Sequence, residues 1–265
     1  MNTKGTGFRF SSNTFSEVLS ALKKAGYGFV TFGDVLDVSD STVGRICLLR
    51  HDVDVSMDFA VDMARFECDY GVQATFFVML RSPVYNLMSR HGADALAQLV
   101  SLGHEIALHF DAGCALSPGK TLEAQVRFEL GVLSELVGRK ITAFSFHQPS
   151  DEVIRMRMAL PGVINTYNTD QLAGYKYISD SNRVWRGYDP FQLAATGIPR
   201  IHILLHPVWW MCPEAGVYDC WDRAIQRNLE SAQIQLLATE RAYGPPRMLT
   251  LTRESDARSS VSMLP

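Results

Sequence analysis

Ile46-Cys47-Leu48-Leu49-Arg50-His51-Asp52-Val53-Asp54 is the stretch that decides the fold. An apolar run of strand length leads without a break into a polar segment carrying two carboxylates. Ser56 follows as a candidate helix cap, and then Phe59, Met63 and Phe66 recur at i, i+4 and i+7. The unit reads as a buried strand feeding an amphipathic helix, with unusual polar groups at the junction.

The same design repeats on both sides. Upstream, Phe15, Val18, Leu19 and Leu22 stripe a helix over about 15–24, with Thr14 and Glu17 spaced as a capping box and Gly26 after its end. Downstream, strands are predicted at 74–80, 104–110 and 141–146, then near 163–166, 176–178 and 201–206. Helices are predicted near 93–102 and at 122–137, and a long last one starts at Trp221. Short apolar strands alternating with amphipathic helices make an α/β protein with a parallel sheet. The reading is a distorted (β/α) barrel of about seven parallel strands forming one domain over 1–265, with a loose tail over 244–265.

Bulk properties narrow the function. The 25 Lys and Arg stand against 28 Asp and Glu, a formal charge of −3, and no basic run suggests a nucleic-acid partner. Cys47, Cys68, Cys114, Cys212 and Cys220 are odd in number and lack C-x-x-C spacing, which argues against a disulfide framework or a cysteine zinc site. Only Cys212 and Cys220 could pair, across the loop between them. The N-terminus has no apolar leader and no stretch is long enough to span a membrane, so the expected location is cytoplasmic. Oligomeric state is not legible in the sequence.

Chemistry-bearing residues fall at the C-terminal ends of the predicted strands, the rim where α/β folds place their sites. Alternation puts Asp52 and Asp54 on one face, roughly 7 Å apart, where two carboxylates repel unless a cation or proton lies between them. The plain alternative is that Asp54 only caps the following helix. His104 and His109 are five apart and point to opposite faces, so a single metal cannot use both. His109 shares a face with Asp111 at the rim; His104 reads as a structural histidine. Phe144-Ser-Phe-His147 and Ile203-Leu-Leu-His206 are two more apolar strands ending in histidine. His202 is placed in the core, and His51 and His91 have no constellation around them. Three strand-end histidines and an aspartate pair suggest a metal or acid–base site.

Taken in order, these segments resemble the polysaccharide deacetylase family, the NodB-homology carbohydrate esterases. Leu49-Arg-His-Asp52-Val-Asp54 resembles the family's first motif, and Ala74-Thr-Phe-Phe-Val78 its second strand. Gly103-His-Glu-Ile-Ala-Leu-His109 resembles the second motif, and Phe146-His147-Gln-Pro149 stands in the place of an Arg-x-Pro motif. Tyr177-Ile-Ser-Asp180-Ser181 with Trp185-Arg186 resembles the fourth motif, and Leu204-Leu-His206-Pro207 the fifth. The resemblance spans about 46–210. The chain departs from it in three ways. Val53 separates aspartates that are usually adjacent, Gly113 stands where a second motif-two histidine is expected, and the motif-three arginine is missing unless Arg50 or Arg186 serves.

The resemblance implies a metal-dependent hydrolase that removes acetyl groups from an N-acetylated sugar or glycan. Asp54 and His109 would hold a divalent metal, with His147 as third ligand and Asp111 behind it. Zinc suits such a set, with cobalt, iron or manganese also compatible. Asp52 would be the catalytic base. His206, oriented by Asp180, would be the acid, and a backbone N–H near Pro149 and Ser150 would help hold the oxyanion. Hydrolysis of another amide, or glycan binding without turnover, are the competing readings. Trp185, Tyr188, Trp209 and Trp210 would either stack on sugar rings or pack the rim.

Overall fold

The computed structural model of the chain describes residues 8–37, 44–114, 118–213 and 216–244. Helix α1 (Ser12–Lys24), strand β1 (Tyr27–Val30) and helix α2 (Phe32–Asp37) precede the deciding strand β2 (Arg45–Val53). Then follow α3 (Met57–Asp69), β3 (Thr75–Val78), α4 (Arg90–Ser101), β4 (Glu105–Asp111), α5 (Leu122–Val137) and β5 (Ala143–His147). The chain continues through α6 (Asp151–Arg155), β6 (Ile164–Asn165), β7 (Lys176–Ser179), α7 (Pro190–Thr196), β8 (Arg200–Leu205), α8 (Pro207–Met211) and α9 (Val217–Thr239). The sheet runs β6-β5-β4-β3-β2-β8-β7, with β1 pairing β2 off this path, and every ladder is parallel.

A single contact shows how far the sheet curls. Arg50 of β2 donates from Nη1 to Thr166 Oγ1, just past β6, at 2.9 Å, and its guanidinium lies over the Tyr167 ring. β6 is four strands from β2, which in a flat sheet would be about 19 Å at a spacing of about 4.8 Å. The sheet therefore curls into a distorted (β/α) barrel whose end strands β6 and β7 form no ladder with each other, and Arg50 crosses its interior.

Alternation then sorts the side chains. Leu48, Arg50 and Asp52 of β2 face inward with Phe77, Ala107, Ala143 and Ile164, while Cys47, Leu49 and Val53 face the helices. The floor of the barrel is plugged by Phe32, which packs edge-on against Phe77. Glu105 holds that plug: its carboxylate accepts from the N–H groups of Phe32 and Gly33, each at 2.9 Å, and from Thr75 and Thr142. A carboxylate at the first turn of α2 satisfies donors the helix leaves open.

Several local expectations are corrected. α1 is capped by Ser11, whose hydroxyl accepts from Thr14 N, rather than by a box of Thr14 and Glu17. Ser56 stands at the N-cap of α3, but its hydroxyl makes no capping bond and is buried without a partner. β1 and α2 have no counterpart in the sequence reading, because four and six residues are too short to show a period. Cys212 and Cys220 do not form a disulfide with each other, and none of the five cysteines is disulfide-bonded. The predicted tail from 244 lies, but for Gly244, outside the described residues. No helix among the described residues is long and apolar enough to cross a membrane.

His51 and His91, expected to stand alone, do not. His51 Nε2 lies 2.7 Å from Glu67 Oε1 on α3, and His104 Nδ1 lies 3.7 Å from Glu67 Oε2, all three side chains fully buried. This cluster fastens α3 to the outer face of the sheet. His104 also bonds Ala64 O and Ala74 N, and burial lowers its pKa, as befits a neutral structural histidine. His91 lies 3.2 Å from Asp58. The signal missed was Glu67, an acidic residue on the apolar stripe of α3, where a buried carboxylate needs a partner.

Candidate metal centre

The barrel places Asp54, His109 and His147 around one point. His147 ends the inward face of β5, His109 stands on the inward face of the neighbouring β4 two residues before its end, and Asp54 lies one residue past β2. Asp54 Oδ1 is 3.2 Å from His109 Nε2 and 3.5 Å from His147 Nδ1, and the two ring nitrogens are 3.3 Å apart. The edges of a tetrahedron around an ion with bonds of about 2.0–2.1 Å are about 3.3 Å. The three donor atoms thus stand at the separations that three corners of such a shell require. Asp54 Oδ1 is also buried without a hydrogen-bond partner, as an oxygen reserved for a cation would be. A carboxylate and two imidazoles form a donor set that a divalent metal fits. Asp111 does not enter this triangle. Its carboxylate turns to Gly113 N at 2.8 Å and to the Cys114 thiol.

Asp54 has further company. Burial by itself raises its pKa, but the adjoining His109 and His147 rings and the charge of His206 outweigh that and hold the carboxyl well below its ordinary range. His147 is in turn raised, chiefly by Asp54, against the effect of burial. Behind His109, Ser145 Oγ lies 2.6 Å from Nδ1.

On one side of the triangle stands Asp52, gripped by Arg50 through two parallel bonds of 2.7 Å, Nε to Oδ1 and Nη2 to Oδ2. Burial raises the Asp52 pKa, but Arg50 first and His109 next bring it below the usual value, so the carboxylate is ionised. Of the two arginines considered in the sequence, Arg50 is the one that bonds Asp52, while Arg186 is exposed. Asp52 Oδ2 comes within 3.6 Å of His109 Nε2.

On the other side, His206 Nδ1 donates to Asp180 Oδ1 at 2.5 Å, and His206 Nε2 lies 3.7 Å from Asp54 Oδ2. Asp180 is fully buried; its Oδ2 also accepts from His206 N at 3.0 Å and Trp210 Nε1 at 2.7 Å. Burial lowers the His206 pKa, yet Asp180, with Asp54 and Asp52 behind it, raises it to about 9. His202, two layers deeper, is held neutral by burial and Arg50, its pKa down to about 3. The aromatic set divides: Trp209 and Trp210 are buried, and Trp185 stacks on Phe10 as rim packing. Tyr188 alone is exposed, beneath Lys176.

No protein-family model matches the chain, and no curated protein matches it in sequence. Solved structures do resemble it. One is the Streptococcus pyogenes deacetylase PplD in complex with acetate, at 16% identity and a TM-score of 0.47, over 75% of this chain and 93% of that one. Another is a family 4 carbohydrate esterase from Bacillus anthracis, at 13% and 0.42, over 88% and 89%. A third is BA3943, a CE4 family pseudoenzyme from the same organism, at 14% and 0.40, over 74% and 66%. Identities this low concern the path of the chain alone, and the functional reading rests on the site.

Proposed function

We propose that this chain is a metal-dependent hydrolase that removes the acetyl group from an N-acetylated sugar. The observation that carries the reading is the donor triangle of Asp54, His109 and His147, set between an arginine-anchored carboxylate and an aspartate-anchored imidazole. The sugar as substrate comes from the ordered motif resemblance. A divalent ion held by the three donors, zinc by preference, supplies a Lewis acid that polarises an amide carbonyl and acidifies water.

The chain's own residues divide the proton work. Asp52 is ionised, and Oδ2, its oxygen on the His109 side, takes the proton that an attacking water gives up. Arg50 occupies both carboxylate oxygens and keeps the group from turning. His206 keeps its proton at neutral pH because Asp180 holds Nδ1–H, which leaves Nε2–H to move to the departing nitrogen. The carbonyl C–N bond breaks, acetate carries off the water oxygen, and the sugar amine leaves with the proton of His206.

The test is acetate release from N-acetylglucosamine oligomers by zinc-loaded protein, with free amine counted in parallel. Equal acetate and amine, lost on chelation and restored by zinc, support the reading. Zinc retained with no acetate from N-acetylated sugars of any linkage overturns it.

A further inference from the structure

We propose that Ser145 is a positioning residue that sets the tautomer of His109 and so makes the donor triangle competent to bind metal. The proposal rests on the metal-site reading above. His109 and Ser145 are register partners across β4 and β5, and both point into the barrel, where His109 is 3% exposed and Ser145 not at all.

A neutral imidazole carries one N–H and one lone pair, and a metal takes the lone pair. His109 Nε2 is the nitrogen on the triangle, 3.2 Å from Asp54 Oδ1, so Nδ1 must carry the proton. In a buried site that N–H needs an acceptor, because a donor cut off from water and left unpaired is costly. Ser145 Oγ, 2.6 Å from Nδ1, is that acceptor.

A hydroxyl in this place differs from the carboxylate that often backs a metal-bound histidine. It adds no charge beside Asp52 and Asp54, two carboxylates the barrel already holds within reach of His109. It is also amphoteric. With the triangle loaded, Nδ1–H donates to Oγ. With it empty, the hydroxyl can donate to Nδ1 and let the ring proton sit on Nε2, beside Asp54. Loading then moves the ring proton from Nε2 to Nδ1, with the hydrogen bond between Ser145 and His109 kept in both states.

Two measurements decide the matter. In uniformly 15N-labelled zinc-loaded wild-type protein, long-range imidazole correlations should show His109 protonated on Nδ1 and unprotonated on Nε2. Zinc affinity, measured by competition with a chromophoric chelator, should weaken about 10–100-fold in Ser145→Ala and recover to within a few-fold in Ser145→Thr. A proton on Nε2 in the loaded wild type, or zinc binding by Ser145→Ala as tight as wild type, overturns the proposal. Wild-type protein that binds no zinc removes the metal reading itself, and this proposal with it.

Discussion

Replacing Asp180 by asparagine tests whether His206 is the proton donor of the site. Asp180 accepts three hydrogen bonds, two from His206 and one from Trp210. Asparagine keeps the shape but sets an NH2 group against at least one of those donors. With the charge gone, burial dominates and the His206 pKa falls from about 9 toward or below the ordinary 6.5. That interval is about 2.5 pH units, worth roughly 3 kcal/mol at about 1.4 kcal/mol per unit. Asp54 and Asp52 contribute part of the rise and burial opposes it, so roughly 3 kcal/mol sets the scale of the Asp180 effect.

The direction follows from linkage. A histidine whose folded pKa is raised stabilises the fold fully below its unfolded value, and that contribution is lost as pH climbs through the folded one. Chelated wild-type protein should therefore lose about 3 kcal/mol relative to Asp180→Asn between about pH 6 and about pH 9.5. Urea titrations at matched pH read this directly. Turnover of the zinc-loaded variant should fall about 10²–10⁴-fold, with the alkaline limb of kcat shifted to lower pH. Stability curves that run parallel across the whole range would refute the reasoning, because His206 would then owe nothing to Asp180.

Three further outcomes are expected. His147→Ala should lose stoichiometric zinc while Asp111→Ala keeps it, as measured by metal analysis after gel filtration; the opposite pattern would make Asp111 the third ligand. Arg50→Met strips both oxygens of a buried carboxylate, so it should cost about 3–5 kcal/mol in urea unfolding and lower kcat at unchanged zinc content. Full activity in that variant would mean that Asp52 is not the base. Glu67→Ala should cost a similar 3 kcal/mol or so by orphaning His51, with zinc affinity untouched, and a cost below about 1 kcal/mol would show the cluster to be inert.

Much of the barrel was legible because its strands and helices carry periods that survive without neighbours. α5 falls on the predicted 122–137, and α1, β2, β4, β5 and β8 lie within a few residues of their expected places. The elements that escaped, β1, α2, α6, α7 and α8, are four to seven residues long and are stabilised by contacts from elsewhere. α2, for instance, starts where it does because Glu105, more than seventy residues away, receives its first N–H groups.

By itself, the sequence determined which face each polar residue takes, since strand alternation is a local property of the backbone. Asp52 with Asp54, His109 apart from His104, and His147 and His206 at strand ends all follow from counting by two. Only the curled barrel decided who meets whom. The register of β4 against β5 sets Ser145 beside His109 and His147 beside Asp111, yet the His147 ring reaches His109 while Asp111 turns to its own loop. Curvature carries Arg50 across the interior, in reach of both Asp52 and Thr166. A charge partner two residues along the same strand, or four strands away, depends on side-chain reach and sheet curvature. Neither leaves a period in the chain, which is why Ser145 and Glu67 had to be found in space, and why the choice between Arg50 and Arg186 was made there.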